Sequence, residues 1–214
     1  MAIALLGKKI MKKFNDKIKT SYDHIADTWF EKREWYIEQP SVDATIEHLH
    51  PGATILDVGC GSGKPIAAYL TEKGFDVYGV DISAKLLQYA EQIIPKEKLF
   101  LADICEFKTP MQFDAIICWF ALFHVHAKRH FEILKKFHSL LKPKGILLMT
   151  FADTSHPVDG SHTVIDEYTI ESEMFGEQFY HSGQPAHVNS DLVKQAGFEM
   201  LMDKIDQPGN QVIL

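Results

Sequence analysis

The sequence predicts an α/β fold, in which a mostly parallel sheet is covered by helices on both faces and closed by an antiparallel pair. Three observations carry that prediction. From Ala53 onward, apolar runs of strand length alternate with stretches of helical periodicity. The first of those runs ends in a cluster of glycines, which suits a tight strand-to-helix turn. The chain closes on two β-rich runs, Phe198 to Ile205 and Gln211 to Leu214, set around Pro208-Gly209-Asn210. With 214 residues, 46% hydrophobic and 24% charged, the composition is that of an ordinary globular chain, enough for one such domain plus a small appendage.

The elements follow in order. Ile3, Leu6, Ile10, Phe14 and Ile18 step by three and four, so they line one face of an N-terminal helix. The first 20 residues hold six lysines against one acid, Asp16. These lysines follow the apolar Met1 to Gly7 rather than precede it, the reverse of a secretory signal. Residues 1–50 are therefore expected to be a helical arm or lid on a domain of residues 51–214, a basic helix lying on an anionic membrane being the alternative. Ala53 to Val58 reads as the first strand, and Pro65 opens a helix over Ile66 to Lys73 that Gly74 stops. Asp76 to Val80 is the next strand, and Ser83 caps a helix over Ala84 to Ile94. Lys98 to Ala102 and Phe113 to Trp119 are further strands, followed by a helix over His126 to Leu141 and a strand over Ile146 to Phe151. Residues 151 to 193 hold eight acids and no Lys or Arg, and their Gly and Pro residues predict loops. Within them, 153–187 is expected to be an insertion covering the substrate. A last short helix starts at Asn189 or Ser190.

Charge and cysteine usage exclude several classes of function. A net charge of −7 disfavours nucleic acid as partner, and no apolar run is long enough for stable membrane insertion. Cys60, Cys105 and Cys118 form no CxxC pair, so neither a disulfide framework nor a thiolate metal site is indicated, and a reducing, cytoplasmic setting is expected.

Most of the chemistry is concentrated in Leu56-Asp57-Val58-Gly59-Cys60-Gly61-Ser62-Gly63-Lys64-Pro65. A P-loop needs Lys followed by a hydroxyl residue, but Pro65 follows Lys64. A dinucleotide loop needs a third glycine at the position Lys64 occupies, which weakens a nicotinamide oxidoreductase reading. What remains is an acid ahead of three alternating glycines, suited to a cationic ligand and repellent to a pyrophosphate. Asp81 ends the second strand, where a carboxylate accepts both ribose hydroxyls, and Asp103 ends the third, where it meets an adenine amino group. Either acid alone is as well explained as a turn residue. Three at successive strand ends beside a glycine loop form a pattern.

With these residues in place, the chain resembles the class I S-adenosylmethionine-dependent methyltransferases of small-molecule type. Leu56 to Gly63 is similar to their first motif, Val80-Asp81-Ile82-Ser83 to the second-strand acid and Leu101-Ala102-Asp103 to the third. Phe113 to Cys118, Leu140 to Gly145 and the opening Ser21-Tyr22-Asp23-His24-Ile25-Ala26 are similar to further family segments. The resemblance implies a Rossmann-like three-layer sandwich whose seven-stranded sheet ends in a reversed hairpin. It also implies donor contacts: Gly59, Cys60, Gly61 and Gly63 around the methionine part, Asp57 facing the ammonium, and Asp81 on ribose with Ile82 on adenine. Asp103 and Ile104 would hold the adenine edge, Trp119 would lie near the sulfonium, Tyr22 would close over the donor, and Arg33 would reach its carboxylate unless it is a solvated helix residue.

Methyl transfer from a sulfonium asks mainly for alignment and exclusion of water, with S-adenosylhomocysteine as product. No metal is required. His126 and His130 are four apart with His124 nearby, but a third ligand of defined spacing is missing. His124 is the best-placed base for an O- or S-acceptor, or else a histidine hydrogen-bonded within its loop. Trp29, Phe30, Phe123, Tyr180 and His181 are candidates for the acceptor pocket, though each also suits core or surface. The expected partner is a small-molecule methyl acceptor, and the protein is expected to be a monomer or homodimer. A methyltransferase-like domain that binds the nucleoside without transfer is the alternative.

Overall fold

The computed structural model describes residues 2–32, 40–155, 162–207 and 210–214. Arg33 lies outside the described residues, as do His156, Pro157 and Gly160 of the acidic stretch and the Pro208-Gly209 turn.

Helix α1 (Ala2–Lys32) and α2 (Pro40–Ile46) precede an alternating series: β1 (Thr54–Val58), α3 (Ile66–Glu72), β2 (Asp76–Asp81), α4 (Ala84–Ala90), β3 (Leu99–Leu101), β4 (Phe113–Cys118), α5 (His130–Leu140) and β5 (Leu141–Ala152). Then come β6 (His162–Val164), β7 (Thr169–Met174), β8 (Glu177–Ser182), α6 (Ala186–Gln195), β9 (Asp203–Gln207) and β10 (Asn210–Ile213). The main sheet has seven strands in the order β3-β2-β1-β4-β5-β10-β9. Its first five strands are parallel, and β10 runs antiparallel between β5 and β9. Chain order reverses between β1 and β4, so a crevice opens there beyond the strands' carboxyl ends.

The central strands are apolar on both faces because helices cover both. Successive residues of β1 show this: Ile55 packs with Val42 of α2 and Leu70 of α3, while Leu56 packs with Ile133 and Phe137 of α5. The one acid within β4, Asp114, is turned to a local use. It accepts from Thr54 N and Lys142 Nζ, each at 2.8 Å. Burial opposes its charge, yet the bonds from Lys142 and Thr54 outweigh that and hold its carboxyl well below the usual range.

Several expected boundaries move. The helix expected from His126 begins at His130, because His126 caps a short 3-10 turn at Ala127–Arg129 by accepting from Lys128 N. Helix α6 starts at Ala186, after Pro185, rather than at Asn189. The β5 strand already includes Leu141 to Gly145, and the closing pair begins at Asp203 rather than Phe198. The acidic stretch expected to be loops forms a three-stranded antiparallel sheet, β6-β7-β8. Its Gly176 sits at φ +81° in the two-residue turn joining β7 to β8, so the glycine marks a hairpin rather than irregular chain.

Among the described residues no helix is long and apolar enough to cross a membrane. Helix α1 instead docks its apolar stripe on the domain: Ile18 and Ile25 pack against Phe179 of β8, and Phe14 stacks on Tyr180 at 4.0 Å. On its other side Asp23 accepts from Ser83 Oγ at 2.7 Å, at the start of α4.

Candidate active site

A cavity of about 300 Å³ lies beyond the carboxyl ends of β1, β2, β3 and β4, between α1 and the hairpin β7-β8. Its floor is the glycine turn after β1. Gly59, Gly61 and Gly63 all have positive φ, at +72°, +53° and +81°. A Cβ on Gly59 would lie 2.4 Å from that of Ala121, so no side chain fits between the loops after β1 and β4. Four of the loop's donors are already engaged. Gly59 N and Cys60 N donate to Val80 O, Gly61 N to Asp81 and Gly63 N to Cys60 O. With those four N–H groups engaged, the turn offers close approach of its backbone at Gly59 and Gly61.

Asp81 and Asp103 face the cavity and are the acids among its described lining residues, which include no Lys or Arg; Arg129, outside the lining, interacts electrostatically with Asp103. Asp81 is 8% exposed and accepts from Gly61 N and Ser83 N, each at 2.8 Å. Burial pushes its carboxyl up to about 6, against the pull of those two N–H groups. Asp103 accepts from Cys105 N at 2.8 Å through one oxygen and from the Asn15 amide of α1 through the other. Ile82, Ile104 and Trp119 complete this end of the wall.

Three expected donor residues stand back from the wall. Asp57 is 3% exposed beneath the loop and does not line the cavity. The Cys60 side chain is buried against Gly79, where an added Cβ would meet its Sγ at 2.7 Å. Gly63 is occupied with packing, 3.2 Å from Ile93 Cδ1 at its would-be Cβ.

The other end of the cavity joins parts far apart in sequence. His124 Nδ1 donates to the Tyr180 carbonyl at 2.8 Å, which leaves Nε2 as acceptor for the Tyr22 hydroxyl, also at 2.8 Å. His124 is 9% exposed, and burial, then its neighbour His181, push its ring down to about 3. It is thus a neutral imidazole of fixed tautomer. Trp29, Phe123, His124 and His181 line the cavity, and Tyr22, expected over the donor, lines it at the far end against His124. Phe30 does not, since it stacks on Tyr89 at 4.2 Å with Lys64 over its ring. Nor does the Tyr180 ring, which lies on Phe14 and contributes only its carbonyl.

The histidines once weighed for metal are otherwise used. His126 pairs with Asp166 at 2.9 Å, and His130 Nε2 donates to Val125 O at 2.8 Å. Among the described residues no three His, Cys, Asp or Glu side chains converge on a metal position.

Sequence reasoning missed Asn15, Met174 and Phe120 on the wall. Asn15 shared a readable signal, because it lies on the same helical face as Ile18, Tyr22 and Trp29. Phe120 did not. It holds φ +51°, unusual for a bulky residue, with its N–H donating to Thr150 Oγ1 at 2.7 Å.

Comparison with known proteins matches this geometry. Residues 55–145 match a family described as a methyltransferase domain. The chain is 30% identical to YqeM of Bacillus subtilis, a protein assigned to the methyltransferases, over 68% of this chain and 73% of that one. Other curated relatives are longer, and the chain spans about half their length. Among solved structures, the methyltransferase CcbJ of Streptomyces caelestis superposes with a TM-score of 0.70 at 14% identity, covering 91% of this chain and 96% of that one. The 1,6-didemethyltoxoflavin-N1-methyltransferase of Burkholderia thailandensis, solved with 1,6-didemethyltoxoflavin and S-adenosylhomocysteine, gives 0.65 at 19% identity, covering 93% and 84%.

Proposed function

The chain belongs to the class I S-adenosylmethionine-dependent methyltransferases, and on that footing we propose that it methylates a small-molecule acceptor by in-line displacement. Its cofactor is S-adenosylmethionine and the product is S-adenosylhomocysteine. Bound there, the cofactor supplies an electrophilic methyl group on a positively charged sulfur. The observation that carries the proposal is the single cavity joining the strand-end acids to Tyr22 and His124.

The residues on the wall fit that cofactor. Two carboxylates on a cavity wall that includes no lysine or arginine favour a cation, and four engaged loop amides leave less for a pyrophosphate. Asp81 receives the ribose hydroxyls, with Ile82 packing on the adenine ring. Asp103 and Ile104 take the adenine edge once the Asn15 amide yields, and Gly59 and Gly61 admit the methionine part. Trp119 sets its ring by the sulfur, where the negative face of an aromatic favours positive charge. Asp57, Cys60 and Gly63 act from beneath by shaping the turn.

Of residues 1–50, helix α1 serves as the closing arm while α2 packs on the sheet, and residues 153–187 serve as the cover, with Trp29, Phe123 and His181 lining the acceptor side. His124 receives the acceptor's proton, and enclosure by α1 and β8 excludes water. A small acceptor agrees with the fold neighbour solved with 1,6-didemethyltoxoflavin bound. Isothermal titration with S-adenosylhomocysteine tests the proposal: saturable binding that weakens about 100-fold in Asp81→Ala is expected. A folded protein that binds neither cofactor nor product refutes it.

A further inference from the structure

Beyond Asp81 and Asp103 the cavity carries no ionised side chain among the described residues. Its far end is walled by Trp29, Phe120, Phe123 and Met174, and its polar groups are Tyr22, His124 and His181. Both imidazoles are kept uncharged by burial, His124 at about 3 and His181 also pushed down. The two rings lie 5.0 Å apart, and Phe123 lies 5.4 Å from His181. An acceptor bearing a carboxylate, phosphate or ammonium finds no counter-charge at this end, and burying an unpaired charge is costly. The Tyr180 carbonyl settles the tautomer of His124, so its Nε2 lone pair is aimed at the Tyr22 hydroxyl. A phenolic oxygen accepts as readily as it donates, so Tyr22 Oη is the group that meets an acceptor's proton.

Building on the methyl-transfer reading, we propose that the acceptor is a compact, uncharged aromatic hydroxyl compound, held among Trp29, Phe120 and Phe123 with its O–H directed at Tyr22. Aromatic walls favour a planar ring through edge and face contacts. The cavity of about 300 Å³ must seat the cofactor as well, so the space left beside it admits only a compact acceptor. The hydroxyl must also be acidic. A neutral, weakly basic imidazole does not strip an aliphatic alcohol, whereas a phenol, ionising near pH ~10 as tyrosine does, can share its proton along a hydrogen-bonded pair. In the balanced step the acceptor oxygen gains the methyl group, and the electron pair of the methyl–sulfur bond stays with sulfur. The acceptor's proton passes to Tyr22 Oη while Tyr22's own proton passes to His124 Nε2. The positive charge lost at sulfur reappears on the imidazole, whose weak basicity returns the proton to water.

The test titrates the protein, saturated with S-adenosylhomocysteine, with three probes of similar outline: 2-naphthol, 6-hydroxy-2-naphthoate and 2-decalol. The phenol is expected to bind more tightly than the carboxylate-bearing phenol by about tenfold or more. It should also bind more tightly than the saturated alcohol. Tyr22→Phe keeps the ring and is expected to retain S-adenosylhomocysteine binding while weakening 2-naphthol by several fold. With labelled S-adenosylmethionine, label should appear in 2-methoxynaphthalene. Equal or tighter binding of the naphthoate or the decalol overturns the acceptor class. Unchanged naphthol affinity in Tyr22→Phe overturns the role of Tyr22. A wild-type protein that fails to bind S-adenosylhomocysteine overturns instead the methyl-transfer reading beneath both.

Discussion

The two ends of the cavity are built on different principles. The cofactor end takes each residue from the tip of a parallel strand, so topology alone delivers Gly59, Asp81 and Asp103 to one crevice. The acceptor end is assembled from α1, the turn after β4 and β8, and its central hydrogen bond joins residues 102 positions apart. One end inherits its order from the sheet. The other depends on two appended elements, α1 and the β6-β7-β8 sheet, holding each other in place. The cofactor end should therefore tolerate damage to the appendages, while the acceptor end should not.

The largest effect expected from that contrast is on stability. Phe179 is fully buried between β8 and α1, so Phe179→Ala should cost about 3–5 kcal/mol as judged by urea unfolding. The native fraction should still bind S-adenosylhomocysteine within a few fold of wild type. Collapse of that affinity along with stability would erase the distinction between the two ends. Next in size is Asp81→Ala, which removes the carboxylate proposed to receive the ribose and the partner of Gly61 N and Ser83 N. Losses of about 1.5–3 kcal/mol per charged hydrogen bond predict a weakening of about 100-fold in titration. Unchanged acceptor-probe binding in that variant would confirm that the ends are separable.

A smaller effect follows from protonation. The Asp81 carboxyl is raised to about 6, and ribose hydroxyls donate to the ionised form. Affinity for S-adenosylhomocysteine should be flat above that pH and fall as pH drops through it, by about tenfold per unit at the limit. The slope should vanish in Asp81→Asn, and a flat wild-type profile would place the ribose elsewhere. The sign for folding differs. Asp81, raised when folded, favours the native state most below its unfolded value, and that contribution is lost as pH rises through about 6. His124 is lowered to about 3, so its burial destabilises the protein as pH falls below about 6.5.

The smallest effect concerns the contact linking the two ends. Asn15 of α1 donates to the Asp103 oxygen that the adenine amino group would need. Asn15→Ala should leave S-adenosylhomocysteine affinity unchanged or tighten it by about threefold, the range of one net hydrogen bond. Weakened affinity would instead make α1 part of the cofactor end.

The same contrast explains what the sequence made legible. The alternation of strand and helix, the glycine turn and the acids after β2 and β3 were readable, because each is a local pattern in a fold that repeats one connection. Tyr22 and His124 were each singled out, yet nothing in their neighbourhoods says that they touch. That contact exists because α1 lies along β8, a long-range packing choice made by Ile18, Ile25 and Phe179. Phe30 and Tyr180 were misplaced for a related reason. Aromatic side chains near a site stack on whatever ring the tertiary structure presents, here Tyr89 and Phe14. The β6-β7-β8 sheet was hidden by its acids, since its strands are partly solvent-facing and lack the apolar runs that marked the main sheet.

The contact between Gly59 and Ala121 has a consequence for engineering. The two turns are pressed together with no room for another carbon at Gly59, and form one plate of the cavity wall. A library aimed at broadening substrate scope gains nothing by randomising either position. Diversity belongs at Phe123, Met174 and His181, whose side chains can shrink or grow without unseating the nucleoside on the opposite side of the plate.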